Sequence, residues 1–326
     1  MVYVIVPVYN GEKQLRRCLD SILNSSLQKT VVCINDGSTD SSSQILQFYE
    51  QNYDFIILNQ QNMGPSAARN AGLDYVFGKC NDNDLISFVD ADDFVDSDYF
   101  AKSLNLLIEK EADILCSSYI LESSTKQKYV KHVENEQLLN GIEATSLLLQ
   151  DETVQSHSHC KLFKAFTWKN VRFPVDIVSM EDQATIFKCF LNANKVFITN
   201  YAGYHYWQGD TSICRSPMTN KKISDSLLGY LESVKFLLGV NKDDEKRKCL
   251  QSAINGFSAC YLMLIPRVDY EKESIYLDNI KKVIEFEKKN KLVSKSKPHL
   301  KKEKLKKFVY LLNKRLYNKV YRIYIK

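Results

Sequence analysis

The opening stretch of the chain alternates short apolar runs with amphipathic segments, and every apolar run closes in a polar cluster. Val2–Val8 is apolar and β-branched apart from Tyr3, with Pro7 near its end. Similar runs stand at 31–34, 55–58 and 85–89. Runs that are apolar on both faces read as buried strands. Between them, residues 12–23 set Leu15, Cys18, Leu19 and Ile22 on one helical face, and residues 66–77 follow Gly64-Pro65 as a second helix. A third helix runs to about residue 49, capped by Asp40 or Ser41. This β-α-β-α-β-α-β order predicts an α/β fold with a mostly parallel sheet, right-handed crossovers and helices on both faces.

In such sheets ligands bind beyond the carboxyl ends of the strands. Tyr9-Asn10, Asp36-Gly37-Ser38 and Asp90-Ala91-Asp92 occupy those ends, enough polar groups for a nucleotide-sized site. No Gly-x-Gly-x-x-Gly follows the first strand and no Gly-Lys-Ser/Thr occurs, which argues against a dinucleotide fold and excludes a P-loop. Phe88-Val89-Asp90-Ala91-Asp92-Asp93 is the most informative of the strand ends. Carboxylates crowded at the end of a buried strand repel one another and resist desolvation. A hard divalent cation such as Mg²⁺ or Mn²⁺ relieves that cost. The plainer alternative is that Asp92 or Asp93 starts the next helix.

Further along, a helix is predicted over 99–110, a strand over 114–120 and a helix over 141–149. Glu181-Asp182 opens an apolar-periodic segment at 183–190, and residues 196–198 read as an edge strand. From about residue 221 the pattern is helical until Pro266 breaks it. The nine cysteines are scattered without a Cys-x-x-Cys pair, as expected of reduced, buried thiols. The apolar start lacks a basic leader, and no uninterrupted apolar run approaches the ~20 residues of a membrane span. A cytoplasmic protein is therefore expected.

The net charge of +5 conceals an asymmetry. Residues 293–326 hold twelve Lys/Arg and one acid, Glu303, leaving the remainder acidic. Leu305, Phe308, Val309, Leu312, Leu316, Val320 and Ile323 recur there at helical spacing, interleaved with basic residues and tyrosines. A basic amphipathic helix of this kind fits an anionic lipid surface, and the acidic body disfavours nucleic acid. The alternatives are packing on the body or on another subunit.

Four blocks carry a family resemblance: Val4-Ile5-Val6-Pro7-Val8-Tyr9-Asn10, Asn35-Asp36-Gly37-Ser38-Thr39-Asp40, Asn62-Met63-Gly64-Pro65-Ser66-Ala67-Ala68-Arg69-Asn70-Ala71-Gly72 and Asp90-Ala91-Asp92-Asp93. In this order and spacing they resemble the inverting family 2 glycosyltransferases of bacterial surface-polysaccharide synthesis, which have the GT-A fold. The resemblance covers roughly residues 1–215, with a nucleotide-sugar-binding half at 1–98 and an acceptor-binding half at 99–215. A helical extension (216–292) and the basic tail (293–326) lie beyond it.

The resemblance implies a UDP-sugar donor and a Mn²⁺ or Mg²⁺ cofactor; together with the basic tail it implies a glycan acceptor on a lipid carrier and a peripheral place on the inner face of the plasma membrane. It implies that Pro7, Tyr9, Asn10, Asp36, Asn62, Gly64, Arg69, Asp90, Ala91 and Asp92 form the donor site. Asp36 would read the base, and Asp92, Asp90 and His205 would hold the metal. Asp182, ahead of Glu181, would be the base that takes the acceptor's proton. Arg69 has a plainer alternative, an ion pair with Asp36 or Asp90, and Glu181-Asp182 has one in helix capping. Where the family often has Arg after the aromatic pair near His205, this chain has Trp207, with Arg215 a possible substitute. His157 and His159 receive no role. Asp93 and Asp96 are expected to cap a helix or face solvent. A pyrophosphorylase would need a Gly-rich basic loop where Tyr9-Asn10-Gly11-Glu12 stands. A catalytically silent nucleotide-sugar-binding partner would not need both the Asp-x-Asp and the Glu-Asp pair.

Overall fold

The computed structural model describes residues 1–150, 154–209, 217–240, 244–271, 275–298, 301–314, 317–318 and 321. Its opening half follows the alternation read from the sequence. The elements are β1 (Val2–Val8), α1 (Leu15–Leu23), β2 (Thr30–Asp36), α2 (Ser42–Tyr53), β3 (Ile56–Gln60), α3 (Pro65–Phe77) and β4 (Leu85–Phe88). Then come β5 (Phe94–Val95), α4 (Tyr99–Glu109), β6 (Ile114–Glu122), β7 (Gln127–Val130), β8 (Gln137–Asn140), α5 (Gly141–Gln150), β9 (Lys161–Lys164), α6 (Ile186–Asn192) and β10 (Lys195–Trp207). Helices complete the described chain: α7 (Asn220–Gly239), α8 (Asp244–Leu264), α9 (Ile275–Asn290), α10 (Leu292–Lys295) and α11 (Lys301–Leu312).

One ten-stranded sheet runs β3-β2-β1-β4-β9-β6-β10-β5, with β7 on β6 and β8 on β10. β3, β2, β1 and β4 are parallel to one another. β9 is antiparallel to both β4 and β6, and β10 runs parallel to β6. The sheet is thus parallel where the four blocks lie and mixed beyond them.

The pleat sorts β1 onto two cores. Val4, Val6 and Val8 face α1 and α2 through Leu15, Leu19, Ile45 and Leu46. Tyr3 and Ile5 face α3 in a core that continues into the carboxyl-terminal helices as far as Tyr317. Gly72 sets the closeness of α3, since a Cβ there would stand 2.6 Å from Ile5 Cγ2 and 2.9 Å from Ile34 Cδ1. Only glycine permits that approach, and it seats Arg69, one turn earlier, over the strand ends. Phe88, the last residue of β4, packs against the rings of Phe163, Trp168 and Phe173. The acids therefore leave from a rigid base.

Two expectations change. Residues 196–198 are not an edge strand; they lie inside the 13-residue β10, which pairs with β6 on one side and with β5 and β8 on the other. Register shifts at Thr199/Ala202 and Ala202/His205 break the period that would have marked its length. The helix after Glu181-Asp182 starts at Ile186, and residues 181–185 are turn. One helical stretch, Lys246–Arg267, is long and apolar enough to cross a membrane by length and composition, but 72% of that window is buried in the fold. It is the central helix of the carboxyl-terminal bundle. The eight described cysteines are all free, and seven are buried.

Candidate active site

The parallel strand order brings the first two polar ends together. Asn10, in a left-handed conformation (φ 50°), accepts from Thr39 N at 2.8 Å and donates from its own N to Ser38 Oγ at 3.1 Å. Asp40 Oδ1 accepts from Ser42 N at 2.9 Å and so starts α2. Pro7 precedes this turn, and Tyr9 projects from it at 50% exposure, an aromatic face open to solvent.

Asp36 is 3% exposed. Its Oδ1 accepts from Gln60 Nε2 (2.7 Å) and Met63 N (2.8 Å), and its Oδ2 from Gly64 N (2.8 Å). It therefore braces the Asn62–Gly64 loop at the start of α3. Gly37 has φ +69°, and a Cβ there would come within 2.7 Å of Asn62 N, so this loop tolerates no side chain at that point. Gly64, φ +88°, is the residue before α3 and Pro65 its first residue.

Arg69 is 6% exposed and acts as the hub. Nη2 donates to Asp90 Oδ1 at 3.0 Å and Nη1 donates to Glu181 Oε1 at 2.6 Å. Of the two alternatives posed by sequence, the ion pair with Asp90 is present, and the partner Glu181 was not anticipated. Arg69 with its neighbour His159 holds the Asp90 carboxyl well below the usual range, against desolvation. Burial, and next Asp182, push Glu181 up to about 7, with Arg69 opposing.

Asp182 lies beside this chain of charges. Its main-chain oxygen, not its carboxylate, accepts from Thr185 N and Ile186 N. Its Oδ1 is buried without a hydrogen-bond partner among the described residues. A carboxylate oxygen left unpaired in a protein interior is costly.

Three acids leave β4 in different directions. Ala91 separates Asp90 from Asp92. Asp92 is exposed, yet desolvation in the crowded strand end and then the Asp90 charge push its carboxyl up to about 6. Asp93, expected to cap or face solvent, is 0% exposed. It accepts from Tyr204 OH at 2.6 Å and Trp207 N at 2.7 Å, pinning the end of β10 to the exit of β4. Burial followed by Asp90 and Asp92 raises its pKa strongly.

Ligand atoms of Asp90, Asp93 and His159 all lie within 4.8 Å of one another. His159 Nδ1 is 3.4 Å from Asp90 Oδ2, and its ring stacks on Tyr204 at 5.0 Å and 10°. Two carboxylates and an imidazole suit Mn²⁺ or Mg²⁺ in charge and in donor type, with oxygen dominating. Desolvation that now raises Asp93 would be offset by a cation at this point. His205, expected at the metal, instead has Nδ1 3.2 Å from Glu122 Oε2 and Nε2 3.1 Å from Asp96 Oδ1, and stacks on Phe94. Arg215 lies outside the described residues.

Arg17 joins the site although no motif or spacing singles it out. Its guanidinium lies between the rings of Phe94 (4.5 Å) and Trp207 (4.4 Å) and donates to the Asp92 carbonyl at 2.8 Å. Trp207, which departs from the family pattern, thus supports the acidic loop through a cation–π contact. Asp93, His159 and Tyr204 were likewise missed. Their partners lie far away in the chain, so no local spacing marks them.

A parallel sheet whose strand ends collect a braced loop and an acid cluster, closed by a Glu-Asp pair from a mixed-sheet half, defines the GT-A class of α/β protein. The chain belongs to glycosyl transferase family 2, whose sequence profile matches residues 3–170. It is 32% identical over 215 residues to glycosyltransferase GlyA of Streptococcus pneumoniae, covering 63% of this chain and 30% of that protein. It is 29% identical over 213 residues to the poly(ribitol-phosphate) beta-glucosyltransferase of Bacillus spizizenii, covering 63% of this chain and 32% of that one. The chain thus spans about a third of the length of these two relatives. Among solved structures, Staphylococcus aureus TarS 1-349 in complex with UDP-GlcNAc matches with a TM-score of 0.68 at 19% identity, over 87% of this chain and 80% of that one. That likeness establishes the fold.

Proposed function

We propose that this chain transfers a hexose or N-acetylhexosamine from a UDP-linked donor to a hydroxyl of a lipid-carried glycan in surface-polysaccharide assembly, inverting the anomeric carbon. One observation carries the reading. The charge chain Asp90–Arg69–Glu181 ties the donor strand ends to Asp182, whose Oδ1 is buried and unpaired. In this reading the acceptor oxygen bonds to the anomeric carbon as the carbon–oxygen bond to the diphosphate breaks. The electron pair of that bond leaves on the diphosphate, and the hydroxyl proton passes to Asp182.

The chain's own residues supply the rest. Tyr9 offers a face for the base and Pro7 backs it. Asn10 fixes the turn beneath. Asp36 Oδ2 keeps a lone pair beyond the one used by Gly64 N, and a base N–H would take it. The amino end of α3, at Asn62 and Gly64, favours the diphosphate. Asp90, Asp93 and His159 would hold Mn²⁺ or Mg²⁺ with Asp92 at the solvent side, and the bound cation would offset charge building on the leaving group. Named relatives act on poly(ribitol-phosphate), and a UDP-GlcNAc complex exists on this fold; both support a UDP-sugar and a polymeric acceptor. The same proposal includes a peripheral place on the inner face of the plasma membrane, supported by the basic tail.

Release of UDP from a panel of UDP-sugars, with Mn²⁺ and polymer or lipid-linked glycan acceptors, tests the reaction. Turnover of one donor that depends on acceptor is expected. Failure of every UDP-sugar to bind would overturn the proposal, and tight donor binding without turnover on any acceptor would favour the silent partner.

A further inference from the structure

The amphipathic tail splits into two faces when it meets the body. On α11, Tyr310 is buried against Tyr261 of α8, and beyond the helix Tyr317 OH donates to the Leu262 carbonyl at 2.8 Å. Val309 joins the same core. These side chains dock the helix. Other residues of α11 point elsewhere: Leu305, Phe308, Leu311 and Leu312 are 63%, 59%, 47% and 69% exposed. Of the four described positions of the stripe read from sequence, Leu305, Phe308 and Leu312 are left in water and Val309 is packed, while the interleaved Tyr310 and Tyr317 do the docking. Of its remaining positions, Leu316, Val320 and Ile323 lie outside the described residues or have undescribed side chains.

Phe308 and Leu311 also border a groove of about 520 Å³ that Lys297, Lys304 and Lys307 line from the basic side. Lys307 Nζ is spent on the carbonyls of Ser294 and Ser296, which holds α11 to the turn before it. Lys297 and Lys304 are exposed. Over residues 291–307 the chain carries eight lysines against one acid, Glu303. Protein interfaces are depleted in lysine. Helices that lie in a bilayer surface combine exposed Leu and Phe with flanking lysines whose stems reach along the apolar layer to the headgroups.

We infer that the Leu305, Phe308, Leu311 and Leu312 face of α11, with Lys297 and Lys304 beside it, docks on an anionic lipid bilayer. The inference rests on the peripheral location proposed above and specifies which face makes the contact. Docking by this face leaves Tyr310 and Tyr317 in the body. The helix therefore acts as a fixed foot of the enzyme and need not detach to bind.

Flotation of the full chain with phosphatidylcholine vesicles, with and without phosphatidylglycerol, tests it. Wild type is expected to float only with phosphatidylglycerol and to be released by high salt. The exposed triple variant Leu305→Ser, Phe308→Ser, Leu312→Ser should partition roughly tenfold less or worse with an unchanged melting curve. Lys297→Glu with Lys304→Glu should weaken binding to phosphatidylglycerol vesicles without touching the apolar side chains. Flotation of the triple variant like wild type would sink this face while the location stands. Failure of wild type to bind either vesicle would remove the location too. A wild-type dimer in size exclusion that the triple variant loses would assign the face to a second copy and overturn the inference.

Discussion

Arg69 Nη1 donates to Glu181 Oε1 at 2.6 Å across 112 positions of sequence. With the second bond to Asp90, one guanidinium fixes the distance between the acids at the end of β4 and the Glu-Asp pair before α6. Arginine suits this post, because its planar fork presents two donors at a set angle where lysine offers a point charge.

Removing that fork leaves two carboxylates facing each other without a cation. Arg69→Met should destabilise the fold by about 3–5 kcal/mol, the usual cost of breaking a buried pair on one side. Adding Glu181→Gln should recover part of the loss. Urea unfolding of the two single variants and the double variant measures it; strict additivity would show that the two residues do not act as a pair.

Asp182→Asn and Asp92→Asn keep the shape of each side chain and remove its charge. Asp182→Asn and Asp92→Asn should each reduce transfer by about a hundredfold or more while the melting temperature stays within a few degrees. Acceptor-dependent UDP release alongside thermal melts checks both. Near wild-type turnover in either variant would take that residue out of the mechanism.

Glu181 makes stability depend on pH in a direction opposite to most acids. Its folded pKa is raised, from the ordinary 4.5 to about 7, by burial and by Asp182. Between those values the native state keeps a proton that the unfolded chain has released, so stability should fall as pH rises through this window. Asp90, with its pKa depressed from 3.8, contributes stability above that value which is lost only as pH falls below it. Urea unfolding at intervals from pH 4.5 to 7 should therefore slope downward for wild type and less steeply in Glu181→Gln, where Asp92 and Asp93, whose carboxyls are also raised, supply the remaining slope. Equal slopes would show that another group titrates there.

Arg17 supports the acidic loop from its outer side. Arg17→Ala should cost about 1–2 kcal/mol through the lost aromatic contacts and reduce transfer about tenfold by freeing the Asp92 carbonyl. Tryptophan fluorescence of Arg17→Ala, measured in a Trp168→Phe background, reports the change at Trp207. An unchanged emission spectrum with unchanged turnover would refute the role.

The strand-helix alternation, the parallel half of the sheet and the three polar strand ends were all legible in the sequence. They depend on local period and on turn residues such as Asn10, Gly37 and Gly64, whose backbone requirements act within a few positions. The Asp-x-Asp and Glu-Asp pairs were legible for the same reason, since each is a short run in a marked place. The length of β10 was not, because its register shifts interrupt the alternation a strand is read by.

What only the tertiary structure decided is which of these groups face one another. Sequence places Arg69 near a helix start but cannot choose among Asp36, Asp90 and Glu181. The choice is made by the close approach of α3 at Gly72 and by the turn at residues 181–185. It likewise gives three acids after Phe88 without saying which is buried. Trp207 N and Tyr204 OH, both on β10, take Asp93 inward and leave Asp92 in water. Side-chain chemistry is a property of the residue, and a short motif announces it. Burial and partners belong to pairs of distant segments, so they exist only once the sheet has closed and set those segments a few ångströms apart.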